Sequence, residues 1–161
     1  MSQRLHVALY RTDESATTGY FHWALVLGNP NQLVNIYQIR LIDGQWEYKP
    51  RQSVNLFDSN TMQCTVLLPP LLTDPTEIES FIDAEVADRG QTQLLWIHRA
   101  QGRGWTCAQW VIRVLEGLVN DGMMEGNGLG IGTNDWKANF YMTVCGLGKE
   151  SLEDQEIVKS L

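Results

Sequence analysis

The segment that most constrains the fold is YFHWALVL, residues 20–27, an alternating run that is too apolar for a surface loop. A β-strand points successive side chains to opposite faces. The odd-numbered members, all large and apolar, therefore share a face that we expect to pack on a core. His22 falls on the other face. A histidine in such a strand is either a core residue with a satisfied hydrogen bond or a base that serves a nucleophile elsewhere in the chain.

Four further segments predict strands, so that the first half of the chain forms an antiparallel sheet. Residues 4–10 alternate in the same way as residues 20–27. The turn signal GNPN then separates residues 20–27 from LVNIYQIRLI, residues 33–42, which we expect to return as their hairpin partner. A DG turn begins QWEYK, residues 45–49, and MQCTVLLP, residues 62–69, forms another strand.

The pattern becomes helical in the second half. Residues 74–90 begin with an aspartate N-cap followed by proline, and they end at a glycine, as helices often do. A short strand, QLLWIH at 93–98, precedes a helix from Thr106 to about Asn120, and a last helix runs from about Trp136 to Val144.

The absence of repeats and linkers predicts a single α+β domain. We place this domain at residues 1–148 and expect an acidic C-terminal tail or short helix at residues 149–161.

Composition and charge narrow the function classes. The 161 residues carry a net charge of −7, and the basic residues are scattered singly, which argues against nucleic acid as a partner. No apolar run approaches the roughly 20 residues that a membrane helix needs, so we expect a cytoplasmic protein with no membrane anchor. The three cysteines are too widely spaced for a metal site. We therefore predict free thiols, with no metal and no cofactor.

The segment WTCAQWV, residues 105–111, supplies a candidate nucleophile. Thr106 followed by Gln109 three residues later is a capping box, which makes Cys107 the first residue of a helix. At that position unpaired N–H groups and the helix dipole lower the pKa of a thiol from about 8.5 toward neutrality. The same N–H groups can stabilise an oxyanion. Cys107 and His22 are thus candidates for a nucleophile and its base.

A third residue would orient the imidazole of His22. We rank Asn35 first, because the predicted hairpin brings it alongside the histidine strand, and its side-chain carbonyl can accept a hydrogen bond. Gln38 is ranked second, because it points to the opposite face from Asn35. Four further residues are candidates for binding substrate or an oxyanion: Tyr10, Tyr20, Trp105 and Gln109.

The other reactive residue types have structural interpretations. His6 and His98 have no recognisable partner, and Cys64 and Cys145 are expected to be small apolar fillers. The run GLGIG lacks the preceding strand and following lysine of a phosphate loop, so nucleotide binding is not predicted.

The sequence resembles the circularly permuted papain-like class of cysteine enzymes. The resemblance rests on HWALVLG, a polar residue on the returning strand, and much later a cysteine that opens a helix, and it spans about residues 19–120. The class includes lecithin:retinol acyltransferase-like and H-Ras-suppressor-like acyltransferases, NlpC-type peptidases and PPPDE-type isopeptidases. HWALVLG, WEY, WTCAQWV and the DW-containing helix are more closely similar to a family of small, uncharacterised filamentous-fungal proteins.

This resemblance implies an antiparallel sheet that carries the histidine strand and packs on the cysteine helix. It also implies a cysteine-dependent hydrolase or acyltransferase, with Cys107 as nucleophile, His22 as general base and acid, and Asn35 as the orienting residue. The substrate would be a small-molecule or peptide acyl compound: an amide, ester or thioester. The alternatives are a deubiquitinase-like isopeptidase and a non-catalytic small-molecule or protein-binding module on the same fold. The oligomeric state stays open.

Overall fold

The alternating segments form strands of a six-stranded sheet, and helices cover one of its faces in the computed structural model, which describes residues 3–88 and 104–161. The sheet has the order β6-β3-β2-β1-β7-β8 and is antiparallel except for the β7–β8 pair. The strands are β1 (Leu5–Arg11), β2 (Phe21–Leu27), β3 (Val34–Tyr37), β4 (Ile39–Ile42), β5 (Gln45–Tyr48), β6 (Arg51–Val54), β7 (Met62–Leu67) and β8 (Val158–Ser160). The helices are α1 (Ser15–Thr18), α2 (Pro75–Ala84), α3 (Cys107–Asn120) and α4 (Trp136–Asp154). The predicted α+β class is confirmed.

The two faces of β2 pack against different layers. The odd-numbered residues of β2 face the main core, where Trp23 stacks on Tyr141 of α4 with ring centroids 5.5 Å apart. The even-numbered residues Ala24 and Val26 pack in a smaller cluster on the opposite face of the sheet. The alternation in the sequence therefore predicts both faces correctly.

The predicted strand 33–42 is interrupted at Gln38. The chain pairs with β2 only as far as Tyr37 and then turns out of the sheet as β4, which pairs with β5. The carbonyl of Gln38 accepts the N–H of Lys49 at 2.8 Å, which closes this β4–β5 hairpin onto the break. The sheet continues instead through β6, which sequence analysis did not predict.

The helix N-termini follow the predicted caps. Asp74 accepts the N–H of Glu77 at 3.1 Å at the start of α2, and Thr106 accepts the N–H of Gln109 at 3.3 Å at the start of α3. Helix α2 ends at Ala84, earlier than predicted. Gly90 and the predicted strand 93–98 lie outside the described residues. Among the described helices, none has the length and apolar character needed to cross a membrane.

The C-terminus differs from the prediction. Helix α4 extends to Asp154, so the expected boundary at residue 148 falls inside it, and the tail continues as β8 beside β7. The buried Lys159 of β8 contacts carboxylate oxygens of Glu150 at 2.8 Å and Asp154 at 2.5 Å. These ion pairs attach the tail to the end of α4.

Two glycines of α4 provide a matched test of its packing on the sheet. A Cβ at Gly148 would lie 2.6 Å from the Phe21 ring and 2.9 Å from Leu9, whereas a Cβ at Gly146 would meet nothing within 4 Å. We predict that Gly148→Ala lowers the free energy of unfolding by about 1–3 kcal/mol through overpacking. Gly146→Ala should raise it by about 0.5–1 kcal/mol through helix propensity. Urea unfolding of both variants measures the difference, and equal effects would contradict this packing.

Candidate active site

Cys107 is the first residue of α3, as its capping box predicts. Thr106 has extended backbone angles, and its hydroxyl caps the helix by accepting the N–H of Gln109. The N–H groups before Gln109 have no partner within the helix, and the half-buried Cys107 lies among them. The sulfur therefore lies at the positive end of a 14-residue helix.

A gap in the sheet edge receives the sulfur. Strand β3 pairs with β2 only from Leu25 to Leu27, so the start of β2 has no strand partner on that side. The backbone N–H of Trp23 donates to Cys107 Sγ at 3.3 Å. The sulfur thus takes the position of a ladder acceptor, and α3 is joined to the plane of the sheet.

His22 connects the sulfur to Gln38. Its side chain lies close enough to the thiol of Cys107 for the thiol to raise the pKa of the imidazole, and its Nε2 lies 2.8 Å from Gln38 Oε1. With Nε2 held by the amide oxygen, Nδ1 is the ring nitrogen that can face the sulfur. Gln38 itself is only 5% exposed, so this hydrogen bond is shielded from water.

Cys107 and His22 each shift the pKa of the other in the direction opposite to the effect of burial. Burial is the largest single effect and raises the pKa of the Cys107 thiol. His22 and the N–H groups of Trp23 and Ala108 together outweigh burial, so the net pKa lies below its usual value. Burial lowers the pKa of His22, but Cys107 and then Gln38 outweigh it, so the net pKa is raised. Both shifts favour a thiolate–imidazolium pair.

Asn35 does not contact His22. Strands β2 and β3 pair Leu25 with Tyr37 and Leu27 with Asn35, so Asn35 lies on the face of the sheet opposite His22. The Asn35 side chain accepts the N–H of Ser53 at 3.1 Å. The prediction that Asn35 lies beside His22 is therefore wrong, and the second-ranked Gln38 occupies that position.

Asn35 has a structural role instead. Ser53 has a φ of 52°, in the left-handed region, at a register shift between β3 and β6. The Asn35 amide satisfies the backbone N–H at this bulge, and its Nδ2 lies 3.5 Å from Glu79 on α2.

The two candidate tyrosines are placed differently. Tyr10 lies directly opposite His22 on β1, and their ring centroids are 5.8 Å apart. Tyr20 precedes β2, and its carbonyl accepts hydroxyl hydrogen bonds from Thr12 and Ser15 at 3.0 and 2.6 Å. Tyr10 therefore borders the Cys107–His22 pair, while the placement of Tyr20 supports the loop before β2.

Trp105 and Gln109 are both buried. The Trp105 indole donates to the Ala87 carbonyl at 2.8 Å, and the Arg113 guanidinium lies over its ring. The Gln109 side chain donates to the Gly104 carbonyl at 3.0 Å. These contacts hold the chain that leads into α3, so both residues support the position of Cys107.

A cleft of about 890 Å³ lies against the sheet face that carries His22. His22, Gln38 and Tyr10 line it, whereas Cys107 is not among its lining residues. Arg40 and Arg51 also line this cleft, and sequence analysis missed both. No local signal identifies them, because the β4–β5 hairpin and the β6 bulge bring them there.

The remaining reactive groups differ from Cys107. Burial raises the pKa of Cys64 to about 11, and burial followed by the charge of Arg4 lowers the pKa of His6 to about 4. His6 therefore stays neutral at neutral pH, in agreement with its predicted structural role. His98 lies outside the described residues.

The model of a family of unknown function, DUF6914, matches residues 2–139. The chain belongs to this family. The matched region of the DUF6914 protein includes β2, Gln38 and the whole of α3, and so includes Cys107, His22 and Gln38. No curated protein and no solved structure matches the chain. DUF6914 membership therefore assigns no activity, and the chemistry has to be argued from the site.

We predict that His22→Ala moves the alkylation of Cys107 in this DUF6914 protein to higher pH. The parent thiol has a lowered pKa, so its thiolate persists below the ordinary value of about 8.5. Without the imidazole, burial is the main remaining effect and raises that pKa. The rate of iodoacetamide reaction at pH 7 should fall about 10- to 100-fold. Peptide mapping separates Cys107 from Cys64 and Cys145, and equal pH profiles in both proteins would contradict the pairing.

Gln38→Ala and Asn35→Ala test which amide orients His22. Loss of a hydrogen bond to a charged group costs about 1.5–3 kcal/mol, so Gln38→Ala should slow Cys107 alkylation near neutral pH about tenfold and lower the pKa of His22. Asn35→Ala should leave both quantities unchanged and reduce only stability. The His22 pKa is measured by NMR titration, a readout that general destabilisation does not move. An effect of Asn35→Ala that exceeded that of Gln38→Ala would reverse the assignment.

Proposed function

We propose that this protein is a cysteine-dependent hydrolase or acyltransferase that forms an acyl-enzyme on Cys107. The observation that carries the proposal is the position of His22 between Cys107 and Gln38. The sulfur lies at the N-terminus of α3, 3.3 Å from the N–H of Trp23 next to His22, and the imidazole is hydrogen-bonded to Gln38. A nucleophile, a base and an orienting group in this order is the arrangement that nucleophilic catalysis requires.

In the first half-reaction, His22 takes the thiol proton and the Cys107 thiolate attacks the carbonyl carbon of an amide, ester or thioester. A C–S bond forms and the carbonyl oxygen becomes an oxyanion. In this proposal, backbone N–H groups at the start of α3 donate to that charge. The imidazolium then gives its proton to the leaving group as the bond to the carbonyl carbon breaks.

In the second half-reaction, His22 removes a proton from water, an amine or an alcohol, which attacks the acyl-enzyme. The C–S bond breaks and the imidazolium returns its proton to the Cys107 sulfur. Gln38 accepts from Nε2–H throughout, so it holds the imidazole in one orientation and one tautomer. Hydrolysis and transfer use the same residues and differ only in the acceptor.

The order of the elements supports placement in the permuted papain-like class. The histidine strand β2 precedes the cysteine helix α3, and an antiparallel sheet packs against that helix. The orienting group in this proposal is a glutamine at the break between β3 and β4. The three residues therefore come from β2, the β3–β4 break and α3, in chain order.

An activated ester tests whether an acyl-enzyme forms. Incubation with p-nitrophenyl acetate should release a burst of about one p-nitrophenolate per chain and leave an acetyl group on the Cys107 peptide by mass spectrometry. His22→Ala should slow acylation by about 10²- to 10⁴-fold. Cys107→Ala should abolish the burst.

The controls separate the proposal from its alternatives. Acylation of Cys64 or Cys145 at the same rate as Cys107 would indicate generic thiol chemistry. An unmodified Cys107 with an ordinary pKa would favour a non-catalytic binding module. If Cys107 is acylated by small esters, its reaction with ubiquitin-type C-terminal probes then decides whether the enzyme is an isopeptidase.

A further inference from the structure

The cleft beside His22 is lined mainly by positive charges, whereas the chain as a whole is negatively charged. The protein has a net charge of −7, yet three arginines line this cleft: Arg11, Arg40 and Arg51. Asp58 is the one acid among the lining residues that the structure describes. An excess of positive charge in a concave site attracts anions from solution.

Arg40 and Arg51 are available to a ligand. Within residues 3–88 and 104–161, neither guanidinium makes a hydrogen bond or an ion pair with the protein. Glu47 is directly opposite Arg40 in the β4–β5 hairpin, but its carboxylate pairs with Lys49 at 3.4 Å. Arg51 pairs with Ile36 across β3 and β6, which places it on the same sheet face as His22.

Arg11 is already used by the protein. Its Nη1 donates to Gln63 at 2.9 Å, and its Nη2 donates to the carbonyl of Asn60. It therefore holds β1 against β7 and the preceding turn. Among the described residues that line the cleft, this leaves Arg40 and Arg51 as the two cations without a hydrogen bond or ion pair.

Tyr10 lies next to His22 and also near these two arginines. The charges of Arg51 and Arg40 both act on its hydroxyl, and Arg40 also acts on His22. Among the described residues, the Tyr10 hydroxyl has no hydrogen-bond partner. Three donors without acceptors therefore border one space, next to the imidazole.

We infer that this cleft binds the anionic group of an amphiphilic acyl substrate, with Arg40 and Arg51 as the cationic ligands and Tyr10 as a further donor. This inference rests on the proposed function and names its substrate class. Guanidinium groups bind both carboxylate and phosphate in a bidentate geometry, so the shared chemistry is a compact oxyanion. The cleft also carries exposed leucines, Leu33 at 66% and Leu41 at 59% exposure, which suit an apolar body.

Matched small molecules test the site without any turnover. Hexanoate, hexyl phosphate and neutral hexanamide share one apolar body, and acetate has the charge alone. Binding is followed by the NMR shift of the Trp46 indole N–H, which lines the cleft, with Trp46→Phe assigning the signal. We expect the anions to bind at least tenfold more tightly than hexanamide, and hexanoate more tightly than acetate. The stronger of hexanoate and hexyl phosphate identifies the preferred oxyanion.

Arginine substitutions decide whether the cleft is responsible. The double variant Arg40→Gln/Arg51→Gln should weaken hexanoate or hexyl phosphate binding at least tenfold. Lys149→Gln, which removes an exposed cation on α4 outside the cleft lining, should change it less than twofold. Binding that is unchanged in the double variant, or hexanamide that binds as tightly as both anions, would overturn the inference.

A pair of alkylating agents connects the cleft to the thiol. Iodoacetate and iodoacetamide carry the same reacting carbon, and only the first is an anion. The ratio of their rates at Cys107 should fall at least threefold in the double variant and stay constant in Lys149→Gln. If iodoacetamide still shows the lowered thiol pKa but the ratio does not change, the proposed function survives and this inference fails. If the thiol pKa is ordinary, the proposed function itself fails.

Discussion

The site depends on one contact, in which the N–H of Trp23 donates to the sulfur of Cys107 at an unpaired edge of β2. The start of β2 is buried but has no strand partner on this side. Its backbone N–H therefore needs another acceptor, because an unsatisfied N–H is costly away from water. The sulfur supplies that acceptor, and it does so only because β3 leaves the sheet at Gln38. The same break directs the Gln38 side chain to His22. One interruption of a strand therefore creates both the place for the nucleophile and the support for its base.

A comparison of Cys107 with Cys64 shows how strongly the surroundings of a thiol determine its pKa. Cys64 lies in the middle of β7, where burial dominates and raises its pKa to about 11. Cys107 is subject to the same desolvation, but an imidazole and two backbone N–H groups reverse the direction of the shift. Desolvation also disfavours the imidazolium of His22, so neither charge is stable there alone. The pair is stabilised as a unit, and removal of either member leaves the other buried without its counter-charge.

Sequence analysis predicted the parts of the site that depend on local rules. Alternation identified both faces of β2, and the capping boxes identified the starts of α2 and α3, because these signals involve neighbouring residues. It failed at Gln38 because strand register is a tertiary property. A shift by one residue exchanges the faces, so the choice between Asn35 and Gln38 could not be made from pattern alone. The cleft arginines were missed for the same reason, since β6 and the β4–β5 hairpin place them.

The position of His22 explains how the two faces of the sheet can act together. Cys107 is joined to β2 from the helix side, whereas the cleft lies on the opposite face, and His22 contacts the thiol while also lining the cleft. The overall charge of −7 repels anions at long range, but salt screens that repulsion beyond a Debye length of about 8 Å. Within the cleft, the charges of Arg40 and Arg51 are close enough to act on the Tyr10 hydroxyl. An anionic group bound there would lie beside the imidazole of His22. The residue that transfers the proton would therefore also border the site that binds the charge of the substrate.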